Sequence, residues 1–517
     1  MRISGMATGM DIEQMVGDLM RAERMPLERM HQDHQELVLK MDDYREVNRG
    51  FMNFRSNTFD GILRQSNMGA KLVTSTNESL VSGTATSSAG DASYTISNVE
   101  SLASAANNAS VASINVGEEE FDPNAPLEDQ AHLLSGSEHW AGDAIEFTIQ
   151  TYDENGEREP VNFEFEADAT LNDVLDGINR SSAGVQAFYD PFSERVSISR
   201  TETGVFNEDG NEMVLGFAGN DFLTDTLQLD GAEETGAQNA RFTMNGLSEM
   251  ERHSNTFTID GLTIQLHNEF DESVQVSVEN DTDTIFETVM GFVDDYNEML
   301  EYTNGKINEE YYRDYRPLTD EQRRDMSESE IELWEERSQS GLLRHDSMLS
   351  GAMNELRTKL YNHVETGDPN QTFSHLTEIG LDTSSDYQER GRLVVDEAEL
   401  RAAIEEDAEG VYQLFAAEGD DDSEQGLAHR VRDSLNHTIE MVGQRAGRAE
   451  MSSNQQFAIG REINQVTDRI SNFERRMEQV EERYWAQFTR MEQAVSEANA
   501  QMQSLMQAMG GEGQMPM

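Results

Sequence analysis

Toward the C-terminal end, apolar residues fall at Ile463, Val466, Ile470, Phe473, Met477, Val480, Tyr484, Phe488, Met491, Val495, Ala498, Met502, Leu505 and Met509. Steps of three and four alternate, the spacing of a coiled-coil seam. Two successive fours, Val480 to Tyr484 to Phe488, make a stutter that locally unwinds a supercoil. No proline interrupts the run. The N-terminal end carries a matching seam at Leu27, Met30, His34, Leu37, Met41, Tyr44, Asn48 and Phe51. Its polar members, His34 and Asn48, are register residues, bought at some cost in stability. Upstream, Asp11 and Gln14 have the spacing of a helix start, and Ile12, Met15, Val16, Leu19 and Met20 supply an apolar face.

Between these ends the period changes to two. Residues 94–99, 145–149 and 161–165 alternate like half-buried strands. The last two are joined through Asp153-Glu154-Asn155-Gly156, whose Asn-Gly signals a two-residue hairpin. Residues 257–259, 262–266 and 274–278 predict a small sheet turning at Asp260-Gly261. From about 284 to 302 the helical period returns. Thr319 with Gln322, and Ser327 with Glu330, read as capping boxes opening two short helices. The fold class expected is α+β and multidomain: a terminal α-helical coiled-coil stalk carrying inserted antiparallel β-rich domains. Four divisions are expected: a paired leg (1–41 with 442–517), a helical domain (42–72 with 284–441), an inner β-rich domain (73–114 with 239–283) and an outer one (115–238).

At 517 residues the chain is long enough for several domains. Its 100 acidic residues against 38 basic ones leave a formal charge of −62. A field of that sign repels phosphate, which argues against nucleic acid and anionic membrane surfaces as partners. Only Lys40, Lys71, Lys306 and Lys359 are lysine; the other basic residues are arginine, which keeps its charge where lysine begins to lose it. An alkaline or saline medium and a GC-rich genome both produce that bias. With no cysteine, disulfides and thiolate chemistry are absent. The N-terminus lacks the basic and apolar regions of a secretory signal, and no stretch approaches a membrane span. Of 27 methionines, ten lie in residues 1–70 and eight in 451–517; methionine packs adaptably.

Against this background, Ser4-Gly5-Met6-Ala7-Thr8-Gly9-Met10-Asp11-Ile12 and Leu19-Met20-Arg21-Ala22-Glu23-Arg24-Met25-Pro26-Leu27 resemble the opening of the flagellar hook-associated protein 2 family, the filament caps. Residues 482–492 are similar to the other end of that family's pattern. Residues 171–179 with 184–187 resemble a repeat shared with flagellins, and 239–246 onward a hook-type repeat. Residues 317–322, 331–335, 341–344, 393–396 and 411–415 also fit, in order along the chain. Met6 and Met10 depart from the commoner leucine, a nearly volume-conserving change.

The resemblance implies a homo-oligomeric cap, in the usual case a pentamer, at the extracellular tip of a bacterial flagellum. It implies export by the flagellar type III apparatus with an export chaperone, without a cleaved signal. Flagellin and the hook–filament junction proteins would be the partners, and filament elongation the role. The expected leg and filament contacts are Ile12, Leu19, Leu27, Met30, Leu37, Met41 and Tyr44 on one seam. On the other they are Phe473, Met477, Val480, Tyr484, Phe488, Met491, Val495, Met502 and Leu505.

No enzyme, cofactor or metal site is expected. Gly305-Lys306-Ile307 lacks the spacing of a phosphate-binding loop. His31 and His34, three apart on one helix, read as structural neighbours rather than ligands. Asp420-Asp421-Asp422 lacks the alternate spacing of a calcium loop. A flagellin or junction protein would share the terminal seams, and an acidic adhesin or hydrolase the β-rich middle. Glycan binding by residues 115–238 would add an adhesive role.

Overall fold

The computed structural model describes residues 11–510 except 167, 218, 220, 230–233 and 449–452, with side chains as far as 506. Residues 4–10 of the opening signature lie outside the described residues. The described helices, in chain order, are α1 (Ile12–Asp60), α2 (Gln65–Met68), α3 (Leu171–Arg180), α4 (Thr282–Asn308) and α5 (Asp320–Asp325), followed by α6 (Glu328–Gln339), α7 (Ser347–Tyr361), α8 (Glu397–Ala416), α9 (Leu427–Ala446) and α10 (Ala458–Gly510). The chain divides into two compact units, 1–68 with 282–517, and 69–281.

Helix ends in the first unit form where the sequence places them. The Asp11 carboxylate accepts from the Gln14 backbone N–H at 3.0 Å, satisfying one orphan donor at the start of α1. Both capping boxes are present, Thr319 with Gln322 opening α5 and Ser327 with Glu330 opening α6. Pro26 lies inside α1 and removes one main-chain donor there. Helix α8 bends at Asp407, whose carboxylate accepts from the Gly410 N–H at 2.8 Å and restarts the helix.

One continuous core joins most of these helices. Val47, Phe51 and Phe54 of α1 pack with Val289, Phe292 and Tyr296 of α4, Leu356 of α7, Ile404 and Phe415 of α8, and Leu435 and Val442 of α9. Phe292 lies between Phe54 and Phe415, with ring centroids 5.5 and 5.6 Å away. Each such side chain, fully buried, stabilises the fold by about 1.5–3 kcal/mol. Asn48 is buried in this part of α1.

The second unit holds two hydrophobic clusters. In the first, a five-stranded antiparallel sheet runs in the order 71–75, 270–280, 92–101, 240–244, 247–252. A three-stranded sheet of 256–259, 262–266 and 81–85 packs with it through Ile96, Phe242, Ile264 and Val276. The expected sheet of three consecutive strands is therefore split. Residues 256–259 and 262–266 pair across Asp260-Gly261, but 270–280 lies between 71–75 and 92–101. The second cluster packs α3 on the strands at 145–153, 161–165, 185–190 and 195–200. The predicted hairpin forms one residue early: Asp153 pairs with Gly156, so Glu154 and Asn155 make the turn. The Asp153 carboxylate accepts from the Asn155 N–H at 2.8 Å, an Asx turn that competes with the Asn-Gly geometry. Arg200 is buried here and pairs with Glu212 at 2.8 Å and Glu202 at 3.0 Å.

Buried phenols tie the fold to pH. Burial pushes Tyr296 up to about 12, and burial with Glu194 and Asp190 nearby pushes Tyr189 up to about 12. Burial and the Asp346 carboxylate raise Tyr44 as well. Folded values above the unfolded one, about 10, mean that the fold favours neutral phenol. Their contribution is complete below about pH 10 and is lost as pH climbs through about 12. The thermal midpoint should therefore fall over that interval, and Tyr296→Phe should flatten the fall; calorimetry across it, with equal slopes in both proteins, would contradict the assignment.

Candidate functional site

Helices α1 and α10 run antiparallel. Arg45 of α1 stacks on Phe457, just before α10, and its Nε donates to the Ala446 carbonyl at 3.1 Å. Nearer the start of α1, Arg24 lies 3.8 Å from Glu481. Tyr484 donates its hydroxyl to Glu23 at 3.1 Å. As numbers rise along α1 they fall along α10. The exposed ion pair stabilises little, so the apolar seam must hold the helices together.

That seam has its own small core. Ile12, Val16 and Met20 of α1 bury themselves against Met477 and Val480 of α10, with Phe473, Tyr484, Trp485 and Phe488 closing around them. Steps of four put 12, 16 and 20 on one stripe of the helix. Leu19, expected in the contact, stands 41% exposed beside the stripe. Val16 and Met20 take the place it was expected to hold. Leu27, Met30, Leu37 and Met41 are half-buried, the last two packed on the helical core, and Tyr44 is buried in it.

Along α10 the same spacing meets a changing environment. Met477 is 6% exposed, but Met491 is 38%, Met502 57%, Leu505 62% and Met506 68% exposed. Phe488 and Val495 are half-buried. Charge thins in the same direction: between 491 and 510 only Glu492 and Glu497 are ionisable, in a chain that is 27% charged. Trp485 was not among the expected contacts because it falls one residue off the seam.

A segment from the loop before α5 lies against α1. Leu318 is buried, Gln32 donates through Nε2 to the Pro317 carbonyl at 2.9 Å, and Arg316 meets Asp33 at 2.9 Å. His31 and His34 line the shallow groove left between α1 and residues 318–324. Among the described residues no group of three or more His, Asp or Glu could hold a metal ion, and no helix is long and apolar enough to cross a membrane.

Comparison with known proteins bears on this arrangement. Residues 8–106 match the family profile for the flagellar hook-associated protein 2 N-terminus, and residues 237–500 the profile for its C-terminus. Flagellar hook-associated protein 2 of Halalkalibacterium halodurans is 36% identical, over 98% of this chain and 99% of that protein. The chain belongs to the flagellar hook-associated protein 2 family. The relative of that name in Escherichia coli is 22% identical, over 96% of this chain and 95% of its own length. In fold, this family member resembles the crystal structure of the D1-D2-D3 domains of the flagellar cap protein FliD from Escherichia coli. The TM-score is 0.53 at 18% identity, over 82% of this chain and 99% of that one.

The isolated seam cluster should respond to damage separately from the main core. Met477→Asp buries an uncompensated charge against Ile12 and Val16. Amide exchange in 12–24 and 473–488 should accelerate by roughly tenfold or more, with 285–300 unchanged. Mass-spectrometric exchange showing equal acceleration in both regions would mean that the two cores are one cooperative unit.

Proposed function

We propose that this family member caps the distal end of a growing bacterial flagellar filament, where it retains exported flagellin and promotes its folding and polymerisation. The observation that carries this reading is the gradient on α10. A seam that is buried by α1 at Met477 and Val480 continues, with the same spacing, as the exposed and nearly uncharged face of Met491, Met502 and Leu505. Such a face is suited to lie against helices of neighbouring subunits. In a chain of charge −62, a low-charge end is also the part that approaches other acidic copies with least repulsion.

The seam residues from Ile12 to Met41 and from Phe473 to Leu505 are the proposed leg and filament contacts; Tyr44, expected among them, is buried in the helical core instead. Methionine along them suits contacts that must change partner as subunits are added. Four hydrophobic clusters support a division into leg, helical, inner and outer parts, proposed at 1–41 with 442–517, 42–72 with 284–441, 73–114 with 239–283, and 115–238. The clusters themselves cross these bounds, since Val442, Ala446, Phe457, Ile459 and Ile463 pack in the helical core and Ala106 and Ile114 in the outer cluster. The working form is a homo-oligomer, a pentamer by resemblance, located outside the cell. It reaches that position through the flagellar type III apparatus with an export chaperone, and the hook–filament junction proteins are among its partners. Its role is structural, with no catalysis.

Removing residues 491–517 should leave the helical core folded while abolishing filament elongation, so that flagellin accumulates as monomer in the medium. Filaments of normal length on cells carrying that truncation would overturn the proposal.

A second, adhesive role has one observation in its favour. Phe192 is 98% exposed at the turn between strands 185–190 and 195–200, and Phe188 is exposed on the first of them. Exposed aromatic faces suit sugar rings, which stack apolar C–H groups on them. Phe192→Ser should reduce binding to a glycan array without changing swimming; unchanged array binding would remove this role.

A further inference from the structure

Sulfur in this chain is thioether only: there are 27 methionines and no cysteine. A two-electron oxidant that attacks sulfur therefore acts on methionine, and exposure decides which one. On α10 that exposure divides a single seam. Met477 is enclosed with Ile12, Val16 and Met20, whereas Met491 and Met502 of the same seam, and Met506 beside it, are open to solvent. Met15, Met25 and Met52 on α1 are as open as Met491, so the α10 set has to be isolated by substitution. Around Met502 and Met506 the neighbours in sequence are alanine, glutamine, serine and leucine, so no charged side chain covers the thioethers locally. Oxidation there would turn an apolar contact surface polar.

We propose that Met491, Met502 and Met506 form a peroxide-sensitive set whose oxidation disables the docking end of α10 while the helical core stays folded. This rests on the reading of α10 as the docking element. The co-reactant is a hydroperoxide, hydrogen peroxide in the simplest case. A sulfur lone pair attacks one peroxide oxygen; the S–O bond forms as the O–O bond breaks. Sulfur is oxidised by two electrons to the sulfoxide and the peroxide is reduced. The proton of the transferred oxygen passes to the departing hydroxide, which leaves as water. The sulfoxide dipole cannot be satisfied in an apolar contact, so the surface that matches neighbouring helices is lost. A methionine sulfoxide reductase reverses the change.

The test uses the full-length protein, dilute hydrogen peroxide and peptide mapping by mass spectrometry, alongside an assay of flagellin polymerisation. Met502 and Met506 should convert at least about ten times faster than Met20 and Met477. Treated wild type should lose its promotion of polymerisation. A triple variant, Met491→Leu, Met502→Leu and Met506→Leu, alters the proposed contact itself and is compared with its own untreated activity: whatever it shows before treatment should survive treatment, because leucine carries no oxidisable sulfur. The inference is overturned if Met477 oxidises as fast as Met502, if fully converted wild type keeps its activity, or if the leucine variant loses as much as wild type does. If the leucine variant is inactive before treatment, repair of oxidised wild type with a methionine sulfoxide reductase decides: recovered polymerisation supports the inference, and no recovery overturns it. Untreated wild type that fails to promote polymerisation would instead overturn the reading on which the inference rests.

Discussion

Antiparallel contact between α1 and α10 is the constraint on which the leg of the first unit depends. It joins residues more than 400 positions apart, as the Tyr484–Glu23 hydrogen bond shows. Closing so long a loop has an entropic cost that grows only slowly with length, and two apolar clusters, one at Ile12 to Met20 and one from Tyr44 onward, offset it. Because neither helix of this contact lies between 69 and 281, a domain can be inserted there without breaking it. The β-rich unit, 69–281, is such an insertion, leaving after α2 and returning at α4.

Much of this was legible in the sequence because helix periodicity, caps and strand alternation are local properties. Asp11, Thr319 and Ser327 open helices where their partners three residues on predict it, and residues 94–99 lie within a strand. What was not legible is non-local. Nothing in 270–280 announces that it will pair with 71–75 and 92–101 instead of the adjacent hairpin, since alternation fixes faces and not neighbours. The choice of Met20 over Leu19 is of the same kind: two adjacent apolar residues serve equally until α10 selects one. The gradient along α10 was hidden because spacing is the same at Met477 and Met502, while exposure depends on what lies opposite.

Charge and contact are separated in space along the leg. Ion pairs such as Arg24–Glu481 and Arg316–Asp33 are exposed, so they orient the helices with little net stabilisation. Apolar contacts concentrate in two places, the small cluster at Ile12 to Met20 and the large core from Tyr44 onward. The outer cluster of the second unit takes another course and buries Arg200 between Glu212 and Glu202. There, loss of one partner would strand a charge in a dry interior.

Helix α1 is continuous in backbone but not in anchorage: no residue between Met20 and Tyr44 is fully buried, and Pro26 interrupts the ladder inside that span. Mechanically it is two springs in series, a weak one held by three side chains and a stiff one rooted in the core. A pull on the N-terminal end would load both alike, but the weak spring would stretch further, and its three-residue anchorage would yield before the core did.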